Sequence, residues 1–174
     1  RFHNEVTGEP SDYGVEDYVP DWLYGKWRAA EGIPPRPKAN GCLGDVDVHI
    51  TTDQSAVAWM ADRTMELMGR YHAEKRPFFV RYDSVEPHLP CCPTAEFAEM
   101  YPPKDIPPWP SFPDSLEGRP YVQKRQRQMW GLDGWTWDRW QPMVGRYLGI
   151  ISQTDRQIGR MLAVLGGFAA VVFV

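Results

Sequence analysis

The stretch Arg76-Pro77-Phe78-Phe79-Val80-Arg81-Tyr82 decides the fold class that this sequence predicts. Pro77 ends the helical pattern before it, and the apolar, β-rich residues from Phe78 to Tyr82 predict a short, largely buried strand. Residues 51–74 predict an amphipathic helix, because apolar side chains recur at steps of three and four: Val57, Met60, Ala61, Thr64, Met68 and Tyr71. A helix followed at once by an apolar strand is typical of an α/β fold with a parallel sheet.

A second helix and strand are predicted towards the end of the chain. Residues 136–165 predict a long helix, with Pro142 near its start and Gly166-Gly167 at its end. Its predicted apolar stripe consists of Met143, Tyr147, Ile150, Ile151, Thr154, Ile158, Met161 and Leu165. The Val-rich run 169–174 predicts a second strand, which completes a crossover unit. Ligands bind at the carboxyl ends of the strands in such sheets.

The two ends of the chain predict an internal segment of a larger domain, truncated on both sides. The sequence begins at Arg1 and stops within the Val-rich run, with no turn residue after it. Residues 1–50 are irregular apart from a short helix predicted between Asp21 and Ala30. We therefore expect a loop-rich, substrate-side region over 1–50 and a helix-strand-loop-helix-strand core over 51–174.

The composition excludes some classes of partner. The net charge is −4 with both signs interspersed, so nucleic acid is not the expected partner. The one basic run, residues 124–127, predicts a solvated helix face. No apolar run reaches the roughly 18 residues that a membrane span needs. The three cysteines form no zinc spacing and slightly favour a reducing compartment, which leaves a cytoplasmic, periplasmic or secreted location open.

His88 is the candidate catalytic residue among the four histidines. His3, His49 and His72 fit structural or solvated roles, whereas His88 lies between two prolines directly after the predicted strand. An imidazole there can donate a hydrogen bond to an anionic substrate or protonate a leaving oxygen. A rigid turn with a purely architectural role is the alternative. We expect Glu86 to end the strand rather than to orient the ring.

Other candidate residues fit architectural roles better. Cys91-Cys92 could supply a nucleophile, but no partner base is identifiable, and residues 93–96 predict a helix start. Asp155 is expected to form a structural hydrogen bond within the long helix. Tryptophans that precede this helix either stack on a sugar or, as a dense cluster more often does, pack a loop onto the core: Trp130, Trp135, Trp137 and Trp140.

Three stretches of the chain resemble the type I sulfatases of the alkaline phosphatase superfamily. Residues 76–80, leading into Glu86-Pro87-His88-Leu89-Pro90, are similar to the family's central strand and its PH-x-P loop. Residues 101–107 are similar to the loop that follows, and residues 146–162 to the family's Y…D…G-R-[IML]-L helix. The order and spacing of these motifs carry the resemblance, which covers roughly residues 50–174.

The resemblance implies a three-layer α/β/α sandwich with a mostly parallel sheet and the hydrolysis of sulfuric esters. In that family a formylglycine hydrate attacks sulfur beside a calcium ion, and the histidine of the PH-x-P loop contacts the sulfate group. That position is His88 here. The expected partner is a carbohydrate or small-molecule sulfate ester, such as an aryl or choline sulfate. A phosphonate or phosphodiester hydrolase of the superfamily and a non-catalytic binding segment are the alternatives.

The sequence also departs from the family's pattern. The formylglycine motif C/S-x-P/A-x-R is absent, because residues 91–95 lack its arginine and lie on the wrong side of His88. Gly25-Lys26-Trp27 matches part of a G-K-W-H motif, but Arg28 replaces the histidine, so Lys26 is not carried over. The nucleophile and the calcium ligands are expected outside this chain. His88 is the only catalytic residue predicted, and the chain by itself is expected to be inactive.

Overall fold

The computed structural model describes residues 23–35 and 43–168, and helices dominate both parts. A single 3-10 turn, Thr52–Gln54, precedes the second helix, and another, Pro103–Asp105, follows the third. The helices are α1 (Leu23–Ala30), α2 (Ala56–Ala73), α3 (Ala95–Glu99), α4 (Tyr121–Met129) and α5 (Trp137–Gly166). The predicted short helix before residue 31 and both long helices are therefore confirmed.

α2 begins at a side-chain cap, Ser55. The hydroxyl of Ser55 accepts the N–H of Ala58 at 3.3 Å, which satisfies one of the free amides of the first turn. Residues 51–53 lead into the 3-10 turn, where the Thr51 N–H donates to Oε1 of Gln54 at 3.0 Å. The predicted apolar face of α2 is confirmed, since Val57, Ala61 and Met68 are buried.

The predicted α/β class with a mostly parallel sheet is wrong for the described residues. Within residues 23–35 and 43–168 the only β pairing is an isolated parallel bridge between Asp47 and Thr94. Residues 78–82 are extended, but no backbone hydrogen bond joins them to another described segment. A strand needs a neighbouring backbone to pair with, and an extended apolar segment does not create one. The second predicted strand, residues 169–174, lies outside the described residues.

The extended segment packs as a strip across two helices instead of joining a sheet. Phe78, Val80 and Tyr82 contact the buried cluster of Ala61, Met68 and Met161, which joins α2 to α5. The intervening Phe79 points away from this cluster and is 85% exposed. The alternation of period two is thus present, but only one face of the segment is covered.

The buried face of α5 differs from the predicted apolar stripe. Ile150 and Met161 are buried as predicted, but Ile151 and Ile158 are 40% and 41% exposed. The helix is rotated towards a line of small and amide residues at steps of four: Gly145, Gly149, Gln153 and Gln157. A methyl group on Gly149 would lie 2.8 Å from the Phe97 carbonyl oxygen, so the glycine allows the backbone of α3 to approach closely.

α4 lies on the surface, as the basic run within it predicted. None of its residues is buried, and Lys124 and Arg125 are exposed. No helix in the described part of the chain has both the length and the apolar composition that a bilayer crossing requires.

Candidate functional site

His88 lies in a tight turn at the end of the extended segment. The backbone N–H of His88 donates to the carbonyl of Val85 at 2.9 Å, which closes the turn. The side chain of Glu86 is directed inward and is 7% exposed, whereas the imidazole of His88 is exposed to solvent. The turn therefore presents the ring outward.

One nitrogen of the imidazole forms a hydrogen bond within the turn, and the other is available to a ligand. Nδ1 lies 2.7 Å from the carbonyl oxygen of Leu89. Because a carbonyl oxygen only accepts, Nδ1 carries the hydrogen and Nε2 carries the lone pair of the neutral ring. When the ring is protonated, Nε2 becomes a second donor. This arrangement suits contact with an oxyanion, which the sequence predicted for His88.

The phenol of Tyr82 lies on the buried side of the same extended segment. Its hydroxyl donates to the carbonyl of Val57 at 3.4 Å. Burial raises the pKa of Tyr82 to about 12, so the phenol is neutral at physiological pH. The extended segment is thus anchored to α2 just before the turn that carries His88.

A buried ion pair helps to connect α1 to the residues that follow the His88 turn. Nη1 of Arg28 lies 2.8 Å from Oδ2 of Asp47, and both side chains are almost fully buried. Arg28 also donates from Nε to the carbonyl of Pro34 at 2.8 Å. Asp47 in turn donates its backbone N–H to the carbonyl of Pro93 at 2.9 Å. α1 is therefore tied to the residues that follow the His88 turn.

α3 anchors the same residues to α5. Oε1 of Gln153, buried in α5, accepts the backbone N–H of Thr94 at 3.0 Å. Nearby, Glu96 accepts from the hydroxyl of Thr52 at 2.5 Å and from Arg156 at 2.6 Å. These bonds, that from Arg156 foremost, hold the pKa of Glu96 below its usual value.

The cysteines that follow His88 are buried. Cys91 is 0% and Cys92 is 6% exposed. Gly44 lies against Cys91, since a methyl group on Gly44 would lie 2.5 Å from the Cys91 carbonyl oxygen. α3 begins directly afterwards with Thr94 as its N-cap, which confirms the predicted helix start. The arrangement offers no accessible thiolate.

The remaining candidates lie apart from the turn. His72 stacks on Phe168 with ring centroids 4.1 Å apart, and His49 is exposed in a loop. Lys26 is exposed on α1. Asp155 is exposed as well, and the structural hydrogen bond expected of it is formed by Gln153 instead. His3 and Cys42 lie outside the described residues.

The predicted tryptophan cluster surrounds a cavity of about 650 Å³ between the loop of residues 109–116, α4 and the start of α5. Sequence reasoning missed the contributions of the loop and of α4, and no local pattern in them indicates a cavity. His88 is not among its lining residues. The aromatic lining consists of Trp109, Phe112, Trp130, Trp135, Trp137, Trp140 and Tyr147.

The described residues do not fit the calcium ion that the resemblance implies. Across residues 23–35 and 43–168, no three side chains of His, Cys, Asp or Glu come together in a way that could hold a metal ion. Calcium requires six to eight oxygen ligands.

Comparisons with known proteins identify no relative of this chain. No protein-family model, no curated protein and no solved structure matches it.

Proposed function

We propose that this chain is a segment of a sulfuric-ester hydrolase in which His88 contacts the sulfate group. The observation that carries the proposal is the outward imidazole, whose Nδ1 is fixed by the Leu89 carbonyl at 2.7 Å and whose Nε2 is left for a ligand. The order of the motifs around it, from residue 76 to residue 162, supports the same assignment.

In this proposal, His88 acts through Nε2. With the ring protonated, Nε2–H donates a hydrogen bond to a sulfate oxygen and lowers the cost of placing the anion there. As the S–O bond of the ester breaks, its electron pair stays on the leaving oxygen, which takes the proton from Nε2. The proposal assigns the formylglycine nucleophile and the calcium ligands to residues outside this chain.

Binding to His88 can be tested on the 174-residue chain itself. With ¹⁵N-labelled histidine, titration with phenyl sulfate is expected to shift the Nε2 resonance of His88 and to leave that of His49 in place. His88→Ala should abolish binding of phenyl sulfate by calorimetry, whereas His49→Ala, another exposed histidine, should retain it. Equal binding by both variants would refute the assignment. A preference for phenylphosphonate would transfer the proposal to phosphorus esters.

Catalysis requires a separate test. The purified chain is expected to release no 4-nitrophenol from 4-nitrophenyl sulfate, and measurable turnover would overturn the placement of the nucleophile outside it. In a longer protein that contains this segment and hydrolyses the ester, His88→Ala should lower kcat about 10²- to 10⁴-fold, the usual contribution of a general acid. An unchanged kcat would remove His88 from the mechanism.

A further inference from the structure

The cavity lined by the tryptophan cluster has the size and the walls of a small-molecule site. Its volume of about 650 Å³ lies within the roughly 300–1,000 Å³ typical of ligand pockets. Trp109 and Trp130, which are 43% and 40% exposed, keep part of their ring surface in solvent. A cluster that served only to pack a loop onto the core would enclose its rings without leaving such a space.

Two of the rings are held in place by their own polar atoms. The indole N–H of Trp137 donates to the carbonyl of Ile106 at 2.9 Å, and that of Trp135 to the carbonyl of Gly131 at 3.0 Å. Trp135 and Trp140 pack at a tilt, with centroids 5.0 Å apart. These contacts fix the rings before any ligand arrives, which lowers the entropy cost of binding.

The charged groups of the cavity are already neutralised within the chain. Asp114 lies 3.2 Å from Arg119, and the backbone N–H of Leu116, followed by Arg119, holds the pKa of Asp114 below its usual value. Arg127 pairs with Asp133 at 3.0 Å. Among the described residues that line the cavity, neither charged side chain is therefore left uncompensated to bind an ion.

A cationic ligand is disfavoured by a further contact. The guanidinium of Arg139 already lies over the Trp135 ring, 4.2 Å from its centroid. A quaternary ammonium ligand would have to share the aromatic surface with this cation, and like charges repel at such a distance. An aromatic cage for cations requires the opposite arrangement.

The polar lining suits hydroxyl groups. Gln123, Gln126 and Ser111 contribute uncharged donors and acceptors to the cavity. In the described part of the chain, the side-chain amides of both glutamines are unengaged by other protein groups. An amide offers two N–H donors and a carbonyl acceptor, which match the paired donor and acceptor character of sugar hydroxyls.

We propose that this cavity binds the pyranose ring of a carbohydrate. The apolar C–H face of the sugar stacks on the indoles, and its hydroxyls bond to the amides of Gln123 and Gln126. His88 does not line this cavity, so the test of sugar binding is independent of the test of the sulfatase proposal. It also accounts for the density of aromatic residues around a cavity whose ion pairs are already satisfied.

The test is saturation-transfer NMR and calorimetry on the 174-residue chain with cellobiose, maltose and N,N′-diacetylchitobiose as probes. We expect at least one of these sugars to bind. Trp130→Ala should raise its dissociation constant at least tenfold, the change that about 1.4 kcal/mol produces. Gln126 lines the cavity but is not buried in the fold. Gln126→Ala therefore tests the polar contact without removing a ring, and it should weaken binding severalfold.

Matched controls separate the cavity from the rest of the surface. Phe79→Ala removes an aromatic ring that is 85% exposed and lies outside the lining. Gln128→Ala removes an amide from the same helix, also outside the lining. Both variants, together with His88→Ala, should bind sugar as the parent chain does. Binding unaffected by Trp130→Ala and Gln126→Ala, binding of choline or 4-nitrophenol without any sugar, or no binding at all would each overturn the proposal.

Discussion

The contact between α5 and α3 can be tested by adding a single methyl group. In Gly149→Ala, the new Cβ would lie 2.8 Å from the Phe97 carbonyl oxygen and 3.3 Å from Cβ of Pro93. Because the Phe97 oxygen belongs to the backbone, the backbone of α3 or α5 has to move, and overpacking of this kind costs about 1–3 kcal/mol. The substitution also gains about 1 kcal/mol in helix propensity, which masks part of the cost.

Gly159 provides the matched control on the same helix. A methyl group there would meet no atom within 4 Å, so Gly159→Ala should show only the propensity gain and stabilise the fold by about 1 kcal/mol. The difference between the two variants isolates the steric cost, because the propensity gain cancels. We expect Gly149→Ala to be about 1–3 kcal/mol less stable than Gly159→Ala.

Urea unfolding followed by circular dichroism measures this difference. With a slope of about 2 kcal/mol per molar urea, a difference of about 2 kcal/mol separates the midpoints by roughly 1 M. Coincident midpoints, or a higher midpoint for Gly149→Ala, would show that α5 does not approach the backbone of α3 through this glycine. The close approach at Gly149 would then no longer explain why α5 buries its glycine and glutamine residues and exposes Ile151 and Ile158.

Three further predictions concern polar groups. Asp47→Ala removes a buried carboxylate that contacts Arg28 and should lower the free energy of unfolding by up to about 3–5 kcal/mol in urea titrations; a change below 1 kcal/mol would contradict the buried pair. The pKa of Glu96 is lowered in the folded state, chiefly by Arg156, so its contribution to stability is present above the unfolded value and is lost as pH falls through the folded value; Glu96→Gln should flatten the acid limb of the melting temperature against pH. The raised pKa of Tyr82, about 12 against 10.0, means that stability present below pH 10 is lost as pH rises towards 12; Tyr82→Phe should remove that alkaline loss, and an unchanged profile would be evidence against burial of the phenol.

The parts of the fold that the sequence predicted are those governed by local rules. α2 follows from apolar residues spaced by three and four, and α5 ends within the glycine pair that was predicted to close it. The rotation of α5 does not follow from hydrophobicity. It depends on Gly149 meeting the Phe97 carbonyl and on Gln153 finding the amide of Thr94, and these are contacts between residues far apart in the chain.

The sheet was predicted wrongly for a related reason. The residues from Phe78 to Tyr82 specify an extended backbone and an alternation of faces, and both are present. Pairing depends on a second backbone, which local sequence does not report. At the candidate site, the two prolines around His88 correctly indicated a turn, whereas the hydrogen bond of Nδ1 to Leu89 was not predictable. The tryptophans indicated a cluster, but the cavity within it required the loop and α4 as well.

The two buried thiols that follow the His88 turn can serve as probes of local opening. Cys91 and Cys92 are both buried, with 0% and 6% of their surface exposed. A thiol reagent can reach them only during a transient opening of the packing. When reclosing is faster than labelling, the labelling rate divided by that of a free thiol gives the equilibrium constant for opening. The chain can therefore report, without any engineered probe, how often the support of the His88 turn comes apart.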